Sequence, residues 1–370
     1  MKKTIALFLS LCLLLSGFSL GAAAAPRADG SLSSPTQTAE KAGADKWKKA
    51  ACDKPAYCLY CSEIHAGFTG FFVQVFHRIA YGFCKLFHIE MTRGRMKFSE
   101  ITIDAGIETP FRFLHMSDTH LTLCDERDDE KKQKLAEQRL AGFPRALRML
   151  DDAGEKADEM DTFIVHTGDI IDFVSEKNLD TVRRFTSDND VFACAGNHEY
   201  SLYVWDDIDE TTRRERLKDK VQSAFTNDIR FSVRLEHGVE FIAIDNGYHK
   251  IEQWQLDRLK AEIAKGYPII LCLHAPLYAP DIYDYTAEMF GKPMWMMSVP
   301  DALMDKSDEG DYLAQKEDAV THEAYELITH TASIKAILAG HMHYDYVSQV
   351  TPTLKQYVVN TESGNIVTVR

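Results

Sequence analysis

Positive charge is scarce in this 370-residue chain, with 42 Lys and Arg against 56 Asp and Glu, a formal net charge of −14. A chain so acidic repels nucleic acid and anionic membranes in general, so no binding to a nucleic-acid duplex is expected. Internal repeats are lacking, and so are long apolar runs outside the N-terminal leader. Eight cysteines are too few for a disulfide scaffold, and at 45% apolar residues the chain does not need one. Its length suits one large domain or two of ordinary size.

The leader is "MKKTIALFLSLCLLLSGFSLGAAAA". Lys2 and Lys3 form a positive start, an apolar stretch follows, and Ala22 to Ala25 supply small residues for cleavage. Residues 1–25 therefore read as a signal peptide, which places the protein outside the cytoplasm, secreted or in the cell envelope. Cys12 is flanked by leucines and lacks the small residue that a lipidation site requires before its cysteine. Residues 26–50 are rich in Ala, Ser, Thr, Pro and Lys and read as a flexible linker.

Residues 51–96 carry Cys52, Cys58, Cys61 and Cys84 and a helical apolar stripe from Phe72 to Phe87. Outside the cytosol such cysteines can pair, though Cys58 and Cys61 also form a C-x-x-C that fits zinc or redox chemistry. The stripe has two readings: docking on the main domain, or contact with a membrane surface through residues 68–88. Core packing is the common use of such a stripe.

From Lys97 to Arg370 short apolar runs alternate with helix-like stretches, such as Asp129 to Asp151 and Ile251 to Lys265. Near-continuous runs suit strands buried on both faces, and the alternation implies an α/β fold. The last third turns to shorter, alternating strands that suit an antiparallel edge or a second sheet. Residues 280–318, acidic and aromatic, interrupt the rhythm as a lid, a binding loop or a surface elaboration.

Five apolar runs end in polar clusters: Ser117-Asp118-Thr119-His120, Gly168-Asp169-Ile170-Ile171-Asp172, Gly196-Asn197-His198-Glu199, His274-Ala275-Pro276 and Gly340-His341-Met342-His343. In open α/β sheets the site lies beyond the carboxyl ends of the strands, so these clusters should converge. Carboxylate, imidazole and amide oxygen together select divalent ions such as Mn, Fe, Zn, Ni or Co. No thiolate takes part, which argues against a closed structural zinc site. The candidates are too many for one catalytic ion and suit two that share a bridging carboxylate. Such a pair produces hydroxide at neutral pH and steadies the attacking and leaving oxygens at phosphorus.

In this order, D-x-H, G-D-x-x-D, G-N-H-E, a lone His and G-H-x-H resemble the calcineurin-like metallophosphoesterase superfamily over about Phe111 to Tyr346. The resemblance implies a sandwich of two mixed β-sheets flanked by helices. It implies Asp118, His120 and His343 on one ion, Asn197, His274 and His341 on the other, and Asp169 between them. His198 would act on the substrate as the catalytic residue, with Asp172 and Glu199 orienting ligands. His115 and His166 lie inside strands and read as core histidines. His65, His77, His88, His237, His249, His322 and His330 have no ligand-like setting.

Protein phosphatases of the superfamily carry Arg directly after the second Asp of the G-D motif, where this chain has Phe173. No other Arg or Lys adjoins the motifs, which tilts the expectation towards phosphodiesters of a small molecule or lipid. The alternatives are a phosphomonoesterase or protein phosphatase of the same superfamily, a catalytically silent metal-binding scaffold, and an envelope protein acting through residues 26–96.

Overall fold

The computed structural model describes residues 95–370, apart from 141, 144, 203–209, 292–294 and 308. The signal peptide, linker and cysteine-bearing helical segment expected over residues 1–94, with the proposed membrane contact at 68–88, lie outside the described residues.

Two mixed sheets form the frame. The first runs β1 (Lys97–Ile103), β11 (Ser363–Val369), β2 (Phe111–Met116), β3 (Ile164–His166) and β4 (Val191–Ala193) in spatial order. The second runs β5 (Phe231–Glu236), β6 (Val239–Ile244), β7 (Ile269–Cys272), β8 (Ile334–Ala339), β10 (Lys355–Val358) and β9 (Tyr346–Gln349). β2, β3 and β4 are mutually parallel, as are β6, β7, β8 and β10.

Side-chain alternation explains the layering. Phe113, Val165, Phe192 and Val367 face Phe241, Ile270, Cys272 and Leu338 in the core between the sheets. Leu114, Met116 and Ile164 turn outward instead, onto α2 (Ala146–Met160) and α3 (Glu176–Asp188). Ile242, Ile244, Ile269 and Leu271 turn outward from the second sheet onto α5 (Gln253–Ile263) and α8 (Ala319–His330). With both faces covered, these strands must be apolar throughout, as their sequences are. The result is the expected sandwich of mixed sheets flanked by helices. Cys194 and Cys272 are fully buried free thiols in the inter-sheet core.

Two details go beyond the sequence reading. The stretch from Asp129 to Asp151 is two helices, α1 (Glu130–Leu140) and α2, with Gly142 in the gap, a residue that disfavours a continuous helix. β1 is a strand that no continuous apolar run marks; its burial pattern is mostly exposed, as suits a sheet edge. The closing strands supply both an antiparallel edge and a part of the second sheet, as their alternation suits. β9 is an antiparallel edge on β10, but β11 inserts into the other sheet, parallel to β1 and antiparallel to β2.

The interruption at 280–318 contains α6 (Pro280–Phe290) and α7 (Glu309–Gln315). Ile282, Met296 and Val299 pack there against Ala339, Met342 and Tyr344, beside the last cluster. Between β5 and the preceding strand lies α4 (Glu210–Gln222). No helix among the described residues is long and apolar enough to cross a membrane.

Candidate metal centre

β2, β3, β4, β7 and β8 end on one side, and the five polar clusters meet there. The β2–β3 ladder continues past the strand ends, with Asp118 N–H donating to Gly168 O (3.0 Å) and His120 N–H to Asp169 O (2.9 Å). Backbone conformation aims the side chains. Asp118, His120, Asp169, His341 and His343 all have φ between 51° and 68°, in the left-handed region. For residues other than glycine this costs about 1–2 kcal/mol each, so the surrounding structure must hold them there. The segment at His341 to His343 is thus a tight turn, closed by Met342 N–H to Gly340 O at 2.7 Å, and not the extended strand that its i, i+2 spacing suggests. The two imidazoles go to different groups, and Met342 faces the core.

Asp118, His120 and His343 form the first group. His343 Nε2 lies 3.0 Å from His120 Nε2 and 3.3 Å from Asp118 Oδ1. Asp118 Oδ1 is buried and receives no hydrogen bond. Asp169, His274 and His341 form the second group, with Asn197 beside them. His274 Nε2 is 3.2 Å from Asp169 Oδ2, 3.0 Å from Asn197 Oδ1 and 3.0 Å from His341 Nδ1. His274 gives its Nδ1 proton to Thr167 O at 2.8 Å, and the neutral ring is then unprotonated at Nε2. With that ring neutral, His274 Nε2, Asp169 Oδ2 and Asn197 Oδ1 turn acceptor atoms to one point, an arrangement that a cation stabilises. Asp169 Oδ2 is also 3.7 Å from His120 Nε2, so its carboxylate lies between the groups.

Without an ion, protons on the imidazoles balance the buried carboxylates instead. Burial opposes charge on His120, but Asp118, Asp172 and Asp169 push it up to about 10. Burial likewise opposes charge on His274, and Asp169 and Asp118 push it up to about 9. Burial would raise Asp118 and Asp169, yet the surrounding imidazoles hold both well below the usual carboxylate range. The carboxylates call for positive charge, which divalent ions supply. The donor set, two carboxylates, four imidazoles and one amide oxygen, fits such ions.

Around these groups sits an ordered support. Asp172 is fully buried and accepts from His120 Nδ1 at 3.0 Å; its own backbone carbonyl pairs with His198 Nδ1 at 2.8 Å. Although His120, Asp172 and His198 cluster closely enough to suggest a further ion site, Asp172 already faces Arg139 and His120. Glu199 accepts three backbone N–H groups, from Gly196 (2.6 Å), Ile170 (2.7 Å) and Asp169 (2.8 Å), clamping two of the turns together. Burial and the charge of Asp169 push its carboxyl up to about 7. Gly168 (φ 91°) fits where a Cβ would lie 2.6 Å from Gly196 N and 2.7 Å from His274 Nδ1.

His115 and His166 are buried and neutral, bonded to Thr167 and Thr119 hydroxyls. Four further residues at the site escaped the sequence reading. Arg139, from α1, meets Asp172 across 33 residues, a separation that adjacency to the motifs could not reveal. Phe143 stacks on His120 with ring centroids 4.2 Å apart. Asn246 accepts from His274 N–H and Ala275 N–H at 2.8 and 3.0 Å and returns its amide to Ala275 O at 2.8 Å. It follows β6, whose apolar run ends in Asp245-Asn246; the strand-end rule applied to the other runs would have found it. His249, passed over as having no ligand-like setting, lies 3.2 Å from His341, Nε2 to Nε2. At the rim, the half-exposed Trp295 from the 280–318 region has its ring 6.0 Å from His249 and 6.3 Å from His341.

No curated protein matches the chain. Among solved structures, a dimetal phosphatase from Danio rerio shares 16% identity, covering 68% of this chain and 88% of its own, at a TM-score of 0.44. A putative 5'-nucleotidase from Staphylococcus aureus shares 15%, covering 68% of this chain and 48% of its own (TM-score 0.35), and a 5'-nucleotidase from Candida albicans shares 14%, covering 72% and 48% (TM-score 0.34). The chain thus spans about half the length of either nucleotidase. The family pattern described as calcineurin-like phosphoesterase matches residues 111–345, more than half of the chain and the whole span of the polar clusters. The chain belongs to the calcineurin-like phosphoesterase family and is a metal-dependent phosphoric ester hydrolase.

Proposed function

We propose that the protein is an exported phosphodiesterase working with two divalent ions. Asp118, His120 and His343 would hold one ion, Asn197, His274 and His341 the other, and Asp169 both. The observation that carries this reading is the convergence of Asp169, Asn197 and His341 on His274 Nε2 beside the unsatisfied Asp118 Oδ1. Bound there, divalent ions supply Lewis acidity and a nucleophilic oxygen from water at neutral pH.

The chain's own groups do the rest. His198 is anchored by its backbone N–H on Asp169 Oδ1 (2.8 Å) and by Nδ1 on the Asp172 carbonyl (2.8 Å). Its Nε2 then serves as the proton donor to the leaving oxygen. Burial opposes its charge, but Asp169 and Asp172 raise its pKa, which favours the acid form. The diester preference rests on what faces phosphate. Phe173 is fully buried in place of an Arg, and Arg139 commits its fork to Asp172. A dianionic monoester gains most from a bidentate guanidinium, and a monoanionic diester needs it least. The leader of residues 1–25 supports export.

The test is hydrolysis of bis-p-nitrophenyl phosphate against p-nitrophenyl phosphate by Mn²⁺-loaded protein, beside Asn197→Ala and His198→Ala. The expected result is a higher kcat/KM on the diester and a loss of at least 100-fold in both variants. A monoester preference would overturn the diester assignment; wild-type rates in both variants would overturn the site.

A further inference from the structure

We infer that His249 is a positioning residue that fixes the proton of His341 on Nε2 and so frees Nδ1 for the second ion. This rests on the reading of His341 as a ligand. His120 and His274 have Nδ1 engaged, with Asp172 and with the Thr167 carbonyl, and turn Nε2 inward. His341 is reversed. Its Nδ1 lies 3.0 Å from His274 Nε2, inside the cluster, and its Nε2 points away, 3.2 Å from His249 Nε2.

A neutral imidazole has one donor and one acceptor nitrogen. If Nδ1 of His341 offers its lone pair inward, its proton sits on Nε2 and must find an acceptor. His249 Nε2 is that acceptor, so the His249 proton sits on its own Nδ1. A ligating histidine needs such a partner to fix its tautomer and ring orientation. Carboxylates and carbonyls serve His120 and His274; here a second imidazole takes the place.

The local chain is shaped to deliver it. His249 is buried and holds φ at 60°, a conformation costly for a side chain of its size, with its N–H on Asn246 O at 2.8 Å. The same Asn246 pins His274. Gly247 lets this turn pass against Gly196 and Asn197, where a Cβ would collide with backbone. One turn therefore meets His274, His341 and Asn197 together.

The consequence is asymmetry. The Asp118 side has a carboxylate ligand and a histidine backed by Asp172, whereas His249 brings no charge to the other side. The ion held by Asn197, His274 and His341 is the weaker of the two.

Calorimetric titration of metal-free protein with Mn²⁺ tests this, using wild type, His249→Leu and His249→Gln. The wild type binds two ions. His249→Leu keeps the first and weakens the second about 10- to 100-fold. His249→Gln, whose amide oxygen still accepts the proton, stays within threefold of wild type. Equal second-ion affinity in wild type and His249→Leu, or a Gln variant as weak as the Leu variant, overturns the inference. A wild type that binds fewer than two ions overturns the two-ion reading instead. Long-range ¹H–¹⁵N spectra of the Zn²⁺-loaded wild type read the tautomers without any substitution. A proton on His249 Nδ1 and on His341 Nε2 supports the inference; a proton on His249 Nε2 overturns it.

Discussion

Arg139 grips Asp172 through both carboxylate oxygens, Nε to Oδ2 at 2.6 Å and Nη2 to Oδ1 at 2.8 Å. Asp172 in turn bonds His120, so a residue of α1 reaches the candidate metal centre through two side chains. Burial would raise the Asp172 carboxyl, but Arg139, His120 and His198 hold it well below its ordinary range.

Removing the guanidinium leaves a fully buried carboxylate short of its partner. Arg139→Ala should destabilise the fold by about 3–5 kcal/mol, the cost of orphaning a buried charge. It should also weaken ion binding at His120 by 10-fold or more. Urea denaturation and Mn²⁺ titration check both, and Arg139→Lys should recover only part, because an ammonium cannot span both oxygens.

The left-handed turns leave no space for a methyl group at Gly168. Gly168→Ala should displace the Gly196 turn or the His274 ring and lower kcat by 10-fold or more, with reduced stability. Steady-state kinetics and thermal melting decide; unchanged values would mean that the turns yield freely.

Acid should destabilise the protein through its core histidines. Burial lowers both His115 and His166 to about 3. The unfolded chain takes up protons near pH 6.5 and the folded chain does not, so stability falls as pH drops from 6.5 towards 3. At pH 5 the loss is about 2 kcal/mol per histidine. His115→Gln and His166→Gln remove the titration, so each should flatten the fall between pH 7 and pH 5 by about that amount in urea denaturation of metal-free protein. Slopes equal to the wild type would contradict the buried, neutral state of these rings.

Trp295 carries its half-exposed indole to the rim of the centre at φ 79°, with its backbone N–H donating to Gln315 Oε1 at 2.5 Å. A flat ring there suits an aromatic ester group. Trp295→Ala should raise KM for an aryl phosphodiester about 3- to 10-fold with kcat nearly unchanged, and leave an alkyl diester unaffected. Equal effects on both substrates would reduce the indole to packing.

Most of the frame is legible in the chain because each strand carries its own signal. "FRFLHM", "EFIAID" and "PIILC" are continuous apolar runs, as burial on both faces requires, and the clusters after five such runs meet as their placement implies. What escaped depends on distance or on solvent. β1 is an edge strand with mostly exposed residues, so no apolar pattern marks it. Arg139 meets Asp172 only once α1 has packed, and His249 meets His341 across 92 residues. The turn at His341 shows a further limit, because identical i, i+2 spacing serves an extended strand and a left-handed turn equally well.

The central claim is that two ions share one centre through Asp169, which lies 3.2 Å from His274 and 3.7 Å from His120. Its most direct test is the number of Mn²⁺ ions bound per chain, measured by equilibrium dialysis for the wild type and Asp169→Ala. The account predicts two for the wild type and a loss of affinity at both positions in the variant. A single ion in the wild type, or two ions still held with wild-type affinity by Asp169→Ala, would contradict it.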